Sequence, residues 1–220
     1  MNDEPAPTYT GPTNVSFKDN SIHIDGYAEG KRVALLDTKP AKRLAALRIH
    51  QQRLEQCEAA MQEVLRLPSD LENARYSAII GAVAQYFSCF GKNNVYAPLQ
   101  PDRVFKGMED AKECFRYWKA IRDTHVIHEE DTLSFGQTGL VLGHDDEVID
   151  ILSLKMVAQV FDEEHLNLLY KLLVHTIAHV ESEIDRSLTF LFADAEAMGK
   201  EKRSSLRDLV YTVPKPKDLL

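Results

Sequence analysis

The sequence predicts a mainly α protein, and three observations carry that prediction. Apolar side chains recur at three- and four-residue spacing along four stretches, helix-stopping residues lie between those stretches, and one region switches to β-branched runs around a polar turn. The expected architecture is a four-helix bundle with a β-hairpin inserted between the third and fourth helices and minor β structure near the N-terminus. A chain of 220 residues, 44% of them hydrophobic, is long enough to bury such a core as one domain.

Residues 1–38 are expected to form an N-terminal arm. The first thirteen are rich in Pro, Thr and acids and carry too little apolar surface to order themselves. The following VSFKDNSIHIDGYAEG combines alternation at Ile22 and Ile24 with turn signals at Asp19-Asn20 and Asp25-Gly26, which predicts one or two short strands. The bundle domain is expected over residues 39–198. Its first helix runs from Pro40 to Leu67 on Leu44, Leu47, Leu54, Cys57, Met61 and Val64, and Pro68 ends it. Ser69 with Glu72 three residues later reads as a capping box for a second helix through Ile79, Ile80, Val83, Phe87 and Phe90 to Gly91. Gly81, Ala82 and Ala84 are expected to let a neighbouring helix approach closely. KNNVYAPLQPDRVFKG is expected as loop, and the third helix starts near Met108 and continues through Cys114, Phe115, Trp118 and Ile121. Residues 133–161 hold two β-branched runs separated by HDDE, a hairpin expected to lie against the bundle. Asp162 caps the fourth helix, whose line of Leu166, Leu169, Leu173, Ile177, Val180, Ile184, Leu188 and Leu191 extends to about Met198. Residues 199–220 form a basic tail in which prolines prevent one continuous helix.

Composition narrows the function classes. No run of 18 or more apolar residues occurs, and MNDEPAPTYTGPT lacks the charged start and apolar centre of a signal peptide, so a cytoplasmic protein with no membrane partner is expected. Cys57, Cys89 and Cys114 sit in helical patterns without CxxC spacing and read as small buried hydrophobes. A net charge of −8 argues against a broad electrostatic footprint for DNA while leaving room for a local basic cleft.

The apolar stripe of the third helix runs into AIRDTHVIHEED, residues 120–131. At about 100° per residue, Arg122 and His125 fall within about 60° of Trp118, where the helix should be apolar, and His128 falls roughly 80° to one side. A modest unwinding near Asp123 or the helix end would bring His128 beside Arg122. Polar groups at core-facing positions need partners. One reading pairs Arg122 with an acid of another helix and leaves the histidines to cap the helix end. The other is a phosphate site, in which Arg supplies a forked permanent donor and His titrates near neutrality.

Other constellations carry less. His175, His179 and Glu183 stand at i, i+4 and i+8 on the fourth helix, a spacing open to metal ligands, but they project opposite Ile177 and Ile184 and read as a solvated or dimer-facing surface. Paired Glu-x-x-His motifs are missing, so no metal is expected. No Gly-rich phosphate loop occurs, so no nucleotide cofactor is expected. Ser88 and Cys89 lack any nucleophile signature, and Tyr86, Phe87 and Phe90 of YFSCF read as core.

Arg122-Asp123-x4-His128 resembles the R-[N/D/H]-x4-6-H signature of the HEPN superfamily, small four-helix bundles of which many are metal-independent ribonucleases in toxin, phage-defence and RNA-processing systems. Arg43 and His50 meet the looser spacing as well, whereas the strict form with Asp after Arg arises by chance only about 0.06 times in this composition. The resemblance spans about residues 40–195 and leaves the arm and the hairpin outside it. It implies that Arg122 contacts the scissile phosphate, that His128 acts on the ribose 2′-hydroxyl or the leaving oxygen, and that Asp123 orients the pair; His125 is a further candidate as a second proton carrier, phosphate contact or packing residue. It also implies a homodimer with RNA as substrate or, for a noncatalytic module, a protein partner such as a cognate antitoxin or nucleotidyltransferase. A noncatalytic HEPN-like interaction module and a purely structural helical protein are the alternatives. Glu129, Glu130 and Asp131 directly follow His128, so RNA binding would need a positive offset, for which Lys42, Arg43, Arg48 and Arg53 of the first helix are available.

Overall fold

The computed structural model describes residues 15–18, 21–24, 32–68, 71–92, 96–127, 134–157 and 162–209. Among them the chain is mainly helical, with small antiparallel hairpins. It divides into two compact units, Lys42–Thr189 and a second made of Met1–Ala41 with Phe190–Leu220.

Four long helices build the larger unit: α1 (Lys39–Arg66), α2 (Glu72–Ser88), α4 (Glu109–Ile121) and α5 (Glu163–Ala197), with the short α3 (Pro101–Val104) before α4. Leu47, Leu54, Met61 and Val64 of α1 meet Val83, Tyr86 and Phe87 of α2, Phe115 and Trp118 of α4, and Leu166, Leu169, Leu173 and Val180 of α5 in one buried cluster. The apolar stripe read from each sequence segment is therefore the face that leaves water, and burial of these side chains is the main favourable term in folding. Asp162 caps α5 as expected: its Oδ1 accepts from the His165 backbone N–H at 2.9 Å. Thr38 does the same for α1, with Oγ1 3.3 Å from the Ala41 nitrogen.

Several expectations need correction. The second helix begins at Glu72 with Leu71 at its N-cap and no side-chain cap bond; Ser69 of the expected capping box lies outside the described residues. The expected loop contains α3, with Pro101 in its first turn and Gln100 as an extended N-cap; Pro there costs no helix bond because its missing N–H would be unpaired anyway. Gly81 makes no close approach, since a Cβ built on it meets nothing within 4 Å. It is an exposed helix-interior glycine, and Gly81→Ala is expected to stabilise the protein by about 0.8–1 kcal/mol, read as a higher thermal midpoint.

The hairpin of β3 (Ser134–Leu142) and β4 (Val148–Val157) pairs Ser134 with Val157 and Leu140 with Ile151, and its register shifts between Val141 and Leu142. Its described side chains do not lie against the helices: Leu140 is 59% and Ile151 62% exposed, on one face, and Leu152 is 47% exposed on the other.

In the smaller unit, β1 (Val15–Lys18) pairs antiparallel with β2 (Ser21–Ile24), the pair foreseen from Ile22 and Ile24. After α6 (Lys200–Ser204) the chain runs antiparallel to residues 33–35: Leu35 N–H donates to the Arg207 carbonyl at 2.7 Å and Leu209 N–H to that of Val33 at 2.9 Å. Arg32 joins this edge through Asp208 at 2.8 Å and the carbonyls of Ser204 and Leu206.

Candidate functional site

The end of the third long helix departs from α geometry. After Ile121 the backbone widens into a π-helical segment, Arg122–Ile127, packed against α2. An i to i+5 ladder places more residues in each turn than an α-helix does, and such widenings are rare and frequent at functional sites. The α-helical projection that set Arg122 and His125 within about 60° of Trp118 therefore does not hold beyond Arg122.

Arg122 is largely buried, 19% exposed at its side chain. Its guanidinium carbon lies over the Phe87 ring, 5.5 Å from the centroid, a cation–π contact supplied by α2. Its charge partner is its own neighbour: Arg122 Nε is 2.9 Å from Asp123 Oδ1. Of the two readings, an acid of another helix or Asp123 beside it, the pairing found is with Asp123, whose second oxygen takes Lys119 Nζ at 2.5 Å. Asp123 is held from both sides and fixes Arg122 against the aromatic wall. The fit is imperfect, because Nε is buried without a well-aligned acceptor despite that short distance. His125 belongs to the π segment, but its side chain lies outside the described residues, as do His128 and the acids 129–131.

The wall behind Arg122 is continuous. Phe87 stands 5.0 Å from Phe115, Phe115 5.5 Å from Phe105, and Phe105 5.8 Å from the His175 ring, which stacks on it at 27°. His175 Nε2 lies 2.9 Å from the Val104 carbonyl, and since a carbonyl only accepts, this nitrogen carries the proton. His175 is therefore half-buried against α3, where a solvated or dimer-facing position was expected. The angular projection missed this because it contained no α3. Among the described residues no group of three or more His, Cys, Asp or Glu side chains is placed to hold a metal.

The second Arg–His spacing, Arg43 to His50, has a structural explanation. His50 is fully buried, donates Nε2–H to the Ala97 carbonyl at 3.0 Å and meets Tyr96 edge-on at 5.2 Å, while its Nδ1 is buried without a partner. Burial holds its pKa below the ordinary histidine value, with Arg43 and Arg53 adding to the effect against the Ala97 bond. Because the unfolded chain then binds the proton more readily, stability is full above about pH 6.5 and falls as the pH drops toward the lower folded value. Thermal midpoints measured across that range should decline on acidification, and His50→Gln should flatten the decline; an unchanged slope in the variant would refute this assignment.

The remaining nucleophile candidates are inert. Burial pushes Cys57 and Cys89 each up to about 12, and Ser88 Oγ donates to the Gln85 carbonyl at 2.7 Å while accepting from Arg53 at 3.0 Å. Tyr86, Phe87 and Phe90 are core-lining, as their spacing indicated. Thr176 donates to the Leu172 carbonyl at 2.8 Å, so the Tyr86 hydroxyl donates to Thr176 at 3.0 Å and both buried hydroxyls are satisfied.

Compared with protein-family models, with curated proteins and with solved structures, the chain matches none. Among the described residues no helix is long and apolar enough to cross a membrane.

Proposed function

We propose that the chain is an HEPN-like four-helix protein acting as a homodimeric, metal-independent endoribonuclease of a toxin or defence type. The observation that carries this reading is the Arg122–Asp123 pair at the π-helical widening, with the guanidinium seated on Phe87 and turned by an Asp that Lys119 also holds. A cation fixed in this way, with a histidine six residues on in sequence, has the parts that cleavage by the 2′-hydroxyl requires. His128 takes the 2′-hydroxyl proton, the oxygen attacks the adjacent phosphorus, and Arg122 stabilises the charge on the phosphorane. The bond to the 5′-oxygen breaks and that oxygen takes the proton held by His128, giving a 2′,3′-cyclic phosphate and a 5′-hydroxyl. The test is incubation of mixed single-stranded and structured RNA with purified protein in EDTA, beside His128→Ala. Cyclic phosphate ends that vanish in the variant support the reading; equal cleavage by both proteins overturns it.

A noncatalytic interaction module is the second reading, and the exposed aliphatic residues of the β3–β4 hairpin favour it. There the Arg122 cluster would fix self-association, and a protein partner such as an antitoxin would cover the hairpin. On that reading Arg122→Ala weakens self-association of a parent that cuts no RNA.

A further inference from the structure

The β3–β4 hairpin exposes a continuous aliphatic face. Its register sets Leu140 opposite Ile151 and Leu142 opposite Val148, and alternation along β3 puts both pairs on one side of the sheet, with Thr138 and Ser153 as the next pair. The four aliphatic side chains are between 49% and 62% exposed. Ile149, left unpaired where the register shifts, is 64% exposed beside them. These three pairs carry no charge. The opposite face differs, because Asp150 stands there against Val141, and Gly139 against Leu152 leaves a gap.

Size points to the cover this face needs. A Leu, Ile or Val side chain exposed to this degree contributes about 100 Å², so the five present on the order of 500 Å² of apolar surface. That matches the apolar share of a standard interface, which buries about 800 Å² per partner and is roughly 60% non-polar. Two strands alone make a sheet that is marginally stable in water, so covering such a face stabilises the hairpin itself. A twisted sheet is best matched by one of equal twist and extent, packed face to face at about 10 Å, and the same hairpin of a second copy supplies both.

Charge selects the orientation. The turn is acidic: Asp145, Asp146 and Glu147 are all exposed, and Glu147 Oε2 accepts from the Asp145 N–H at 2.9 Å. With both turns at the same end the acids of the two copies would face one another, so a two-fold stack places the turns at opposite ends. Along the chain Glu147 precedes Ile151 by four residues and Lys155 follows it by four. Stacking about Ile151 therefore sets the acidic turn of each copy over the Lys155 position of the other.

We propose that the Leu140, Leu142, Val148 and Ile151 face of the hairpin is the interface between two copies of this chain, packed face to face with their acidic turns at opposite ends. The proposal rests on the homodimer in the reading above and not on its cleavage chemistry.

The experiment is sedimentation velocity of the full chain from low to high micromolar concentration, with the thermal midpoint of each variant as the check on folding. The parent should be a dimer. Ile151→Lys, which puts two like charges at the centre of the stack, should weaken dimerisation a hundredfold or more with the midpoint of the monomer unchanged, and Leu140→Gln serves as the milder second variant. Glu147→Lys and Lys155→Glu should each weaken the dimer about fivefold, since each change touches two surface pairs per dimer, and the double variant should restore it. A parent dimer that both Ile151→Lys and Leu140→Gln leave intact overturns the proposal while the homodimer stands on another surface. A monomeric parent overturns both and leaves the face to a different protein. Loss of the dimer in Ile151→Lys without restoration in the double charge variant overturns the orientation.

Discussion

Arg122→Ala is expected to lower RNA cleavage by about a hundredfold to a thousandfold, the cost of removing one preorganised donor from a developing oxyanion. The fold should survive, because the methylene stem and the Phe87 contact are modest terms beside the core. Arg122→Lys is the sharper variant. Lysine keeps the charge but loses both the planar face that rests on Phe87 and the Nε that approaches Asp123. Cleavage by Arg122→Lys should therefore stay well below the parent, and recovery to the parent rate would mean that only a point charge is needed.

Phe115→Ala is expected to be strongly destabilising. The ring is 5% exposed and stands 4.7 Å from Phe90, 5.0 Å from Phe87, 5.5 Å from Phe105 and 6.4 Å from Tyr86. Its removal opens a cavity where α2, α3 and α4 meet, at a cost of about 3–5 kcal/mol from lost transfer energy and unfilled space. In a domain of this size that is a fall of about 10 °C in the thermal midpoint. Phe115→Leu, which refills much of the volume, should recover a large part of it. Because Phe115 also backs Phe87, cleavage should weaken more than the midpoint alone accounts for.

The long helices were legible because their stripes are long. Leu47 to Val64 and Leu166 to Leu191 repeat the three- and four-residue spacing over many turns, and Asp162 and Pro68 mark ends that need no tertiary information. What escaped the sequence depends on neighbours. Four residues of α3 are too few to show a period, and Pro101 was the only local sign of them. Without α3 nothing in the α5 pattern indicates that His175 turns inward to the Val104 carbonyl. Gly81 looked like a packing glycine because the sequence does not show which side of α2 is covered.

The candidate site was half legible. Arg122 and Asp123 stand out as charges on an apolar stripe, and that mismatch located them. The partner of Arg122 was left between an acid of another helix and Asp123 as the orienting residue, and the adjacent Asp with an aromatic face is what serves it. The π widening was not foreseen, an unwinding having entered only as the condition for His128 to reach Arg122; β-branched Thr124, Val126 and Ile127 weaken the α-helix there without specifying what replaces it. The Arg43–His50 spacing illustrates the converse case: Arg–His proximity in sequence is resolved into a core histidine only by what packs around its ring.

The most direct test of the central claim compares an RNA strand with its all-deoxy counterpart in EDTA, using the parent, Arg122→Ala and His128→Ala. Attack by the ribose 2′-hydroxyl predicts that the parent cuts the RNA alone and that both variants lose that cleavage while remaining folded. No cleavage by the parent at high protein concentration, cleavage of the deoxy strand, or RNA cleavage that persists in both variants would contradict it.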